Sequence, residues 1–110
     1  MIMLLLEAKI TFYTKEDWSD ALPHNVDAEG ILRASINLGD GYLFSGQIKA
    51  LYGEKVYMRG EYYNVLIECA TIHDEAYEDI KYLLSIGRKF TIQTAFRIVG
   101  SGNITDFLYY

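Results

Sequence analysis

Apolar and polar residues alternate with a period of two in several separate runs, and this pattern constrains the fold more than any other feature. In the first run, Leu6 to Thr14, the residues at every second position are the apolar Leu6, Ala8, Ile10 and Phe12. Similar runs cover Leu32 to Leu38, Tyr42 to Ala50, Lys55 to Met58, Tyr62 to Ile72, Phe90 to Thr94 and Arg97 to Phe107. Such alternation places successive side chains on opposite faces of a strand. Several short strands separated by turn residues, such as Gly39-Asp40-Gly41, predict an all-β sandwich or barrel.

One segment, Asp74 to Ser85, has the period of a helix instead. Its apolar residues recur at helical spacing, and they are Ala76, Ile80, Leu83 and Leu84. Acidic residues cluster at its N-terminal end, where the partial positive charge of a helix favours them. Gly87 follows the pattern and predicts the end of the helix. We therefore expect one short helix before the last two strands.

Length, charge and cysteine content limit the class of protein. A chain of 110 residues predicts a single domain over residues 1–110. Its net charge of −5 disfavours nucleic acid as a partner, because affinity for phosphate depends on clustered Lys and Arg. A basic protein is the better electrostatic match. The lone cysteine, Cys69, and the short apolar start, Met1 to Leu6, predict a cytoplasmic protein without a membrane span.

The longest irregular stretch, Lys15 to Gly30, is the candidate partner-binding segment. It contains the single tryptophan, the single proline and five of the 15 acidic residues. Long loops inside compact domains are often functional. The candidate binding residues are Glu16, Asp17, Trp18, Asp20, Asp27 and Glu29. The competing interpretation is a solvated connection in which Trp18 folds back onto the barrel.

Motifs for cofactor, metal or catalytic chemistry are weak throughout. Gly100-Ser101-Gly102 lacks the third glycine and the following helix of a phosphate-binding turn, so it predicts a strand bend or a close approach of two strands. The loose set Cys69, His73, Asp74 and Glu78 lacks the paired spacing of zinc ligands. No serine occupies a glycine-flanked nucleophile elbow. We expect no cofactor, no metal and no enzymatic activity.

Three segments resemble the C-terminal β-barrel of elongation factor Tu and the stand-alone bacterial proteins similar to it. They are "LEAKITFYTKED" at the start, "MRGEYYNVLIECAT" from Met58, with Arg59 in place of a proline, and "GRKFTIQTAFRIVGSGNITDF" near the end. The family's features in the last segment fall on Gly87, Phe90, Ile92, Arg97, Val99, Gly100 and Gly102. The resemblance implies a closed antiparallel Greek-key barrel of about six strands. It covers no GTPase domain, so it implies no GTP hydrolysis.

The resemblance and the charge together leave three functions open. The first is a non-catalytic protein-binding barrel that recognises a partner through the Lys15 to Gly30 segment. The second is an immunity protein or antitoxin that neutralises a basic toxin by electrostatic complementarity. The third is an RNA-binding translation accessory, which the ancestry suggests and the net charge of −5 opposes.

Overall fold

The computed structural model of the protein describes residues 3–29, 32–69, 71–95 and 97–110. Eight strands and one helix follow each other along this part of the chain. The first half comprises β1 (Leu4–Phe12), β2 (Val26–Asp27), β3 (Leu32–Gly39), β4 (Tyr42–Ala50) and β5 (Val56–Tyr57). The second half comprises β6 (Tyr62–Cys69), α1 (Asp74–Ile80), a 3-10 turn (Lys81–Leu83), β7 (Lys89–Thr94) and β8 (Arg97–Tyr109).

Six of the strands form a closed barrel in the order β1-β6-β4-β3-β7-β8, and every neighbouring pair is antiparallel. Strands β3, β4 and β6 lie side by side in chain order, and β7 returns through α1 to lie beside β3. That arrangement is a Greek key. The first and last strands close the barrel along the whole length of β1, from Leu4 opposite Tyr109 to Phe12 opposite Gly100. The predicted six-stranded antiparallel barrel with one short helix before its last two strands is confirmed.

The core is filled by the apolar residues that alternate along the strands. On β1 the four predicted inward residues, Leu6, Ala8, Ile10 and Phe12, are all buried. The same holds for Val65, Ile67 and Cys69 on β6. The β3–β4 hairpin turns through Gly39, Asp40 and Gly41, which all have positive φ, so glycine suits two of these positions. Period-two alternation therefore identified the inner face of these strands correctly.

The segment that was predicted to be wholly irregular contains a short strand. Residues Val26–Asp27 form β2, which pairs with Val56–Tyr57 of β5 in a separate two-stranded sheet. Val26 and Ala28 are buried as part of the main core. The prediction of an irregular stretch from Lys15 to Gly30 was therefore wrong at Val26–Asp27, because burial of Val26 and pairing with β5 order the backbone there. Its predicted end, Gly30, lies outside the described residues.

The helix is shorter than predicted, and one of its four predicted inward residues is exposed. Ile80, Leu83 and Leu84 are buried as expected, but Ala76 is exposed. Tyr77 packs in its place, with its ring stacked on that of Tyr109 at a centroid distance of 3.8 Å. The helix ends at Ile80 because a 3-10 turn follows and brings Leu83 inward. None of the helices in the described ranges is long and apolar enough to cross a membrane.

Gly87 does not cap the helix as predicted. It lies four residues beyond the 3-10 turn, has a φ of +88°, and donates its backbone N–H to the carbonyl oxygen of Ile104 at 2.7 Å. The positive φ explains why glycine occupies this position. The residue therefore belongs to the turn that leads into β7.

Candidate protein-binding surface

Residues 15–29, called the acidic loop below, connect β1 to β3 and are held against the barrel by two arginines. Arg97, the first residue of β8, donates from Nε to the carbonyl oxygen of Asp20 at 3.0 Å and from Nη2 to that of Ala21 at 2.8 Å. Arg59 donates from Nη1 to the carbonyl oxygen of Leu22 at 2.7 Å. Three successive carbonyl groups of the loop are thus bonded to guanidinium groups that the barrel strands and their connections position. Hydrogen bonds to charged donors are among the stronger ones in proteins.

The start of the acidic loop is a compact turn. Thr14 Oγ1 donates to Asp17 Oδ2 at 2.9 Å, and the backbone N–H of Asp17 lies 3.3 Å from Thr14 Oγ1. The N–H groups of Asp17 and Trp18 both donate to the carbonyl oxygen of Thr14, and Ala21 donates to that of Trp18. Ala21 is fully buried. The turn therefore has a defined conformation in which residues 15–20 remain exposed.

The six predicted binding residues lie on two separate segments of the loop. Glu16, Asp17, Trp18 and Asp20 occupy the turn, whereas Asp27 and Glu29 lie on β2 and just after it. Within the second segment, Asp27 Oδ1 accepts a hydrogen bond from the backbone N–H of Glu29 at 2.9 Å. All six are exposed. Within the described ranges, no hydrogen bond links the side chains of one segment to those of the other.

The cations near the loop bond to its backbone and leave its carboxylates without a counter-ion. Lys15 donates from Nζ to the carbonyl oxygen of Ser19 at 3.1 Å. Arg59 and Arg97 likewise bond to carbonyl oxygens of the loop. The ion pairs in the described part of the chain are Lys49–Glu68 and Lys81–Glu78, and neither includes a residue of the acidic loop. Among the described residues, the five carboxylates of the acidic loop are therefore exposed and take part in no ion pair.

Trp18 is a large apolar side chain on the same turn. It is 44% exposed, and its ring lies 6.2 Å from the ring of Tyr13 at an angle of 49°. It does not belong to the buried core. An aromatic side chain that is supported on one face and open on the other can be buried further by a partner.

Two residues that carry this arrangement, Arg59 and Arg97, were not predicted as part of the site. Their donors bond to main-chain carbonyl groups, which carry no side-chain signature in the sequence. The chain has only 10 Lys and Arg against 15 Asp and Glu, so each arginine near the acidic loop was a candidate to contact it. Arg59 stands where the resembled family has a proline, and that difference also marked it.

A buried tyrosine lies beneath the second segment of the loop. Tyr57 of β5 is fully buried and packs against the rings of Phe12 and Tyr63, at centroid distances of 5.7 Å and 5.1 Å. Burial, and secondarily the nearby carboxylate of Glu54, raises the pKa of the Tyr57 hydroxyl to about 12. The ring of Tyr57 therefore packs as part of the core on which β2 and β5 lie.

The residues considered as metal ligands or nucleophiles have structural surroundings. Cys69 is buried on the inner face of β6, and burial raises the pKa of its thiol to about 12. A neutral thiol is a poor nucleophile and a poor metal ligand. His73 is the residue before the helix and makes no capping bond with its side chain, while Glu78 pairs with Lys81. Among the described residues, His, Cys, Asp and Glu form no group of three that could hold a metal ion.

Comparison with known proteins adds no family to this description. No protein-family model matches the chain, and no curated protein matches it as a relative.

Proposed function

We propose that the protein is a non-catalytic binding module, a barrel of the elongation factor Tu C-terminal type without GTPase activity, that recognises a basic protein through its acidic loop. The observation that supports this function best is the set of five loop carboxylates without a counter-ion, next to three cations that bond to the backbone instead. Charge arranged in this way accelerates association with an oppositely charged partner and selects against like-charged ones.

The anchoring of the loop supports the same function. The arginine bonds from Arg59 and Arg97 fix residues 20–22, and burial of Ala21, Val26 and Ala28 holds the loop against the barrel. A loop that is ordered before binding loses less conformational entropy in the complex. The carboxylates therefore lie on a loop that is already ordered before a partner binds.

Trp18 is the proposed apolar anchor within this charged surface. Aromatic side chains that become buried at the centre of an interface often carry much of the binding energy. The surrounding charges then govern the rate of association, while the buried ring governs the rate of dissociation. With a partner in hand, Trp18→Ala is expected to increase mainly the dissociation rate.

The charge hypothesis is tested with a defined probe, a hexalysine peptide, and nuclear magnetic resonance titration of the whole chain. The loop variant Glu16→Gln/Asp17→Asn/Asp20→Asn is compared with the control variant Glu61→Gln/Glu75→Gln/Asp79→Asn, which removes the same three charges from exposed sites elsewhere. We expect chemical-shift changes centred on residues 16–20 in the unmodified protein. The loop variant should bind at least about tenfold more weakly, since each pair of unlike charges contributes up to about 1 kcal/mol at a surface.

An equal loss of binding in both variants would show that net charge alone attracts the probe, and the proposed surface would be rejected. The kind of partner is tested separately by capture from the native cell with and without nuclease. A partner that is retained after nuclease treatment, and lost in the loop variant but not in the control, supports a protein. Loss of the captured material on nuclease treatment would favour the RNA-binding function instead.

A further inference from the structure

A second surface with binding character lies at the opposite end of β1 from the acidic loop. Leu5 of β1 lies directly opposite Leu108 of β8, and Met3 exchanges both backbone hydrogen bonds with Tyr110 at 2.8 and 2.9 Å. These side chains point outward, because the alternate residues Leu4 and Leu6 are fully buried. Leu108 and Tyr110 are 55% and 45% exposed. The outer face of the barrel therefore carries an adjacent set of apolar side chains here.

Leu5 and Leu108 of this set line a groove that also contains two acidic residues. The groove has a volume of about 280 Å³ and is lined by Leu5, Glu7, Leu66, Asp106, Phe107 and Leu108. We call these six residues the terminal groove. Its size suits one or two side chains of a partner rather than a whole small ligand, for which pockets begin at about 300 Å³. Exposed apolar patches with a polar rim are typical of protein interaction sites.

The two acids of the terminal groove face each other across the β1–β8 ladder. Glu7 is the register partner of Asp106. Like charges directly opposite each other on paired strands are unfavourable. The nearest cation on the outer face of β1, Lys9, lies instead over the ring of Tyr62, with its Nζ 5.4 Å from the ring centroid. Lys49, across β6, pairs with Glu68 at 2.8 Å. Within the described ranges, the acid pair thus has no ion-pair partner.

We propose that the terminal groove binds a peptide segment of a partner protein that presents an apolar side chain next to a lysine or arginine. The apolar side chain enters between Leu5, Leu66 and Leu108, and the cation lies between Glu7 and Asp106. This arrangement buries Leu108, covers the half-buried Leu5 and Leu66, and relieves the repulsion between the two carboxylates. The partner segment needs both the apolar side chain and the cation. A purely basic segment would leave the leucines uncovered, and a purely apolar one would leave the two carboxylates without a counter-ion.

Charge argues against a second copy of this chain as the occupant. A symmetric contact between two copies uses the same patch on both subunits. It would therefore bring two Glu7–Asp106 pairs together and add their repulsion. The terminal groove is also distinct from the acidic loop. Leu5 and Phe12 are separated along β1 by roughly 23 Å at the usual rise of about 3.3 Å per residue, so the two surfaces can be tested independently.

The test uses the acetylated and amidated pentapeptide Gly-Leu-Lys-Leu-Gly and amide chemical shifts of the full chain. We expect saturable shift changes at residues 5–7, 66 and 106–108. Peptides with glutamate in place of lysine, or serine in place of both leucines, should bind at least about tenfold more weakly. Shift changes elsewhere, or equal binding by the glutamate peptide, would overturn the proposal.

Two pairs of protein variants make the test specific. Glu7→Gln/Asp106→Asn should weaken binding at least about tenfold, whereas Glu61→Gln/Asp79→Asn, with the same change in net charge, should leave it within twofold. Leu108→Ser should weaken it similarly, and Leu43→Ser, at an apolar residue that is 52% exposed on β4, should not. Equal losses in a variant and its control contradict the proposal.

Two measurements without peptide complete the test. Because the acids repel each other, Glu7→Gln/Asp106→Asn is expected to raise the Tm, and a lower Tm would contradict the repulsion on which the inference rests. Sedimentation over a range of concentrations should give the same result for the unmodified protein and for Leu108→Ser. Self-association that Leu108→Ser abolishes would assign the groove to a second copy and overturn the proposed occupant.

Discussion

Strands β8 and β1 approach so closely at two glycines that any side chain there would displace the backbone. A Cβ atom built on Gly100 would lie 2.5 Å from the carbonyl oxygen of Thr11, and one on Gly102 would lie 2.8 Å from that of Lys9. Both distances are far shorter than an ordinary van der Waals contact, and the neighbouring atoms belong to the main chain, which cannot rotate away. The glycines between Val99 and Asn103 therefore serve the closure of the barrel.

Gly100→Val is accordingly expected to destabilise the protein much more than Ser101→Val. The first substitution forces β8 away from β1, and overpacking of this kind costs about 3 kcal/mol or more. Ser101 lies opposite Thr11 and Thr91 in the two ladders. Valine suits such a strand position, so that change should stay within about 1 kcal/mol. Urea denaturation measures both free energies of unfolding, and equal midpoints for the two variants would contradict the role of Gly100.

The buried thiol of Cys69 predicts how stability depends on alkaline pH. Burial raises the pKa of this thiol from 9.0 to about 12. Below pH 9 the thiol is protonated in both states and contributes no pH dependence. Between pH 9 and 12 the unfolded state loses the proton first, so the free energy of unfolding falls as pH rises, by roughly 4 kcal/mol in total at 1.36 kcal/mol per unit.

The measurement is a series of urea denaturations from pH 8 to 10.5, with Cys69→Ala as the matched variant. The variant loses packing at every pH, but its stability should fall less steeply between pH 9 and 10 than that of the unmodified protein. Above pH 10 both should decline, because the pKa of Tyr57 is also raised to about 12, and the unmodified protein should remain the steeper of the two. Parallel curves from pH 8 onward would mean that the thiol does not titrate as its burial implies.

The guanidinium group of Arg97 donates two hydrogen bonds to the acidic loop, and their loss is expected to destabilise the loop. Lysine keeps the charge but cannot reach the carbonyl oxygens of Asp20 and Ala21 together. Arg97→Lys is therefore expected to destabilise the loop by about 1–3 kcal/mol, the usual value for hydrogen bonds with a charged partner. Hydrogen exchange of the Ala21 amide, which bonds to the Trp18 carbonyl, should accelerate. Arg33→Lys, at an exposed arginine of β3, is the control, and unchanged exchange in Arg97→Lys would show that these hydrogen bonds do not order the loop.

Regular strands were predictable because apolar residues alternate with polar ones along them and so indicate which face is buried. On β1 and β6 every inward residue is apolar, so alternation alone located them. The two-residue strand Val26–Asp27 is too short for any period, and it forms because Val56–Tyr57 lies beside it about thirty residues later. Ala76 satisfied the helical period, yet the ring of Tyr109 selects its neighbour Tyr77 instead. Local pattern predicts an element, and only tertiary contact decides which of its borderline residues are buried.

The candidate site was predictable to the same limited extent. Composition marked the acidic loop, since acids and the single tryptophan are concentrated there. The absence of counter-ions at its carboxylates depends on where Lys15, Arg59 and Arg97 direct their donors, and no sequence pattern specifies that. The terminal groove was not predicted at all. It requires the register between β1 and β8, which places Leu108 beside Leu5 and Asp106 beside Glu7. These two strands are far apart in the sequence, so no local pattern reveals the register.

The molecule as a whole distributes its charge unevenly over the barrel. The acidic loop follows the C-terminal end of β1, and the pair Glu7 and Asp106 lies toward its other end. Lys9 of β1 and Lys89 of β7 both lie opposite Asn103 of β8, one on each side of that strand. Lys9 lies between the two acidic regions. Seven of the 15 acidic residues lie in these two regions and four more lie on α1, so the attraction of a basic protein is expected to depend on which region it meets.

The closed barrel also predicts how the protein responds to nucleotides. Gly100 and Gly102, the pair that most resembles a phosphate-binding turn, lie within β8 and pair with both β1 and β7. The strand continues past them to Tyr109, so they do not lead into a helix whose N-terminus could hold a phosphate. GTP or ATP with magnesium should therefore leave the Tm unchanged.

Thermal unfolding at millimolar nucleotide measures this directly, with sodium chloride at the same ionic strength as the control for salt. A ligand that binds the native state at a hundredfold excess over its Kd adds about 2.7 kcal/mol of stability. For a chain of this size that corresponds to a rise in Tm of roughly 10 °C. The expected result is the same Tm with nucleotide and with chloride, because chloride accounts for ionic strength without mimicking a phosphate. A rise that grows with nucleotide concentration and exceeds the chloride control would mean that the β8 glycines, or another part of the barrel, form a phosphate site.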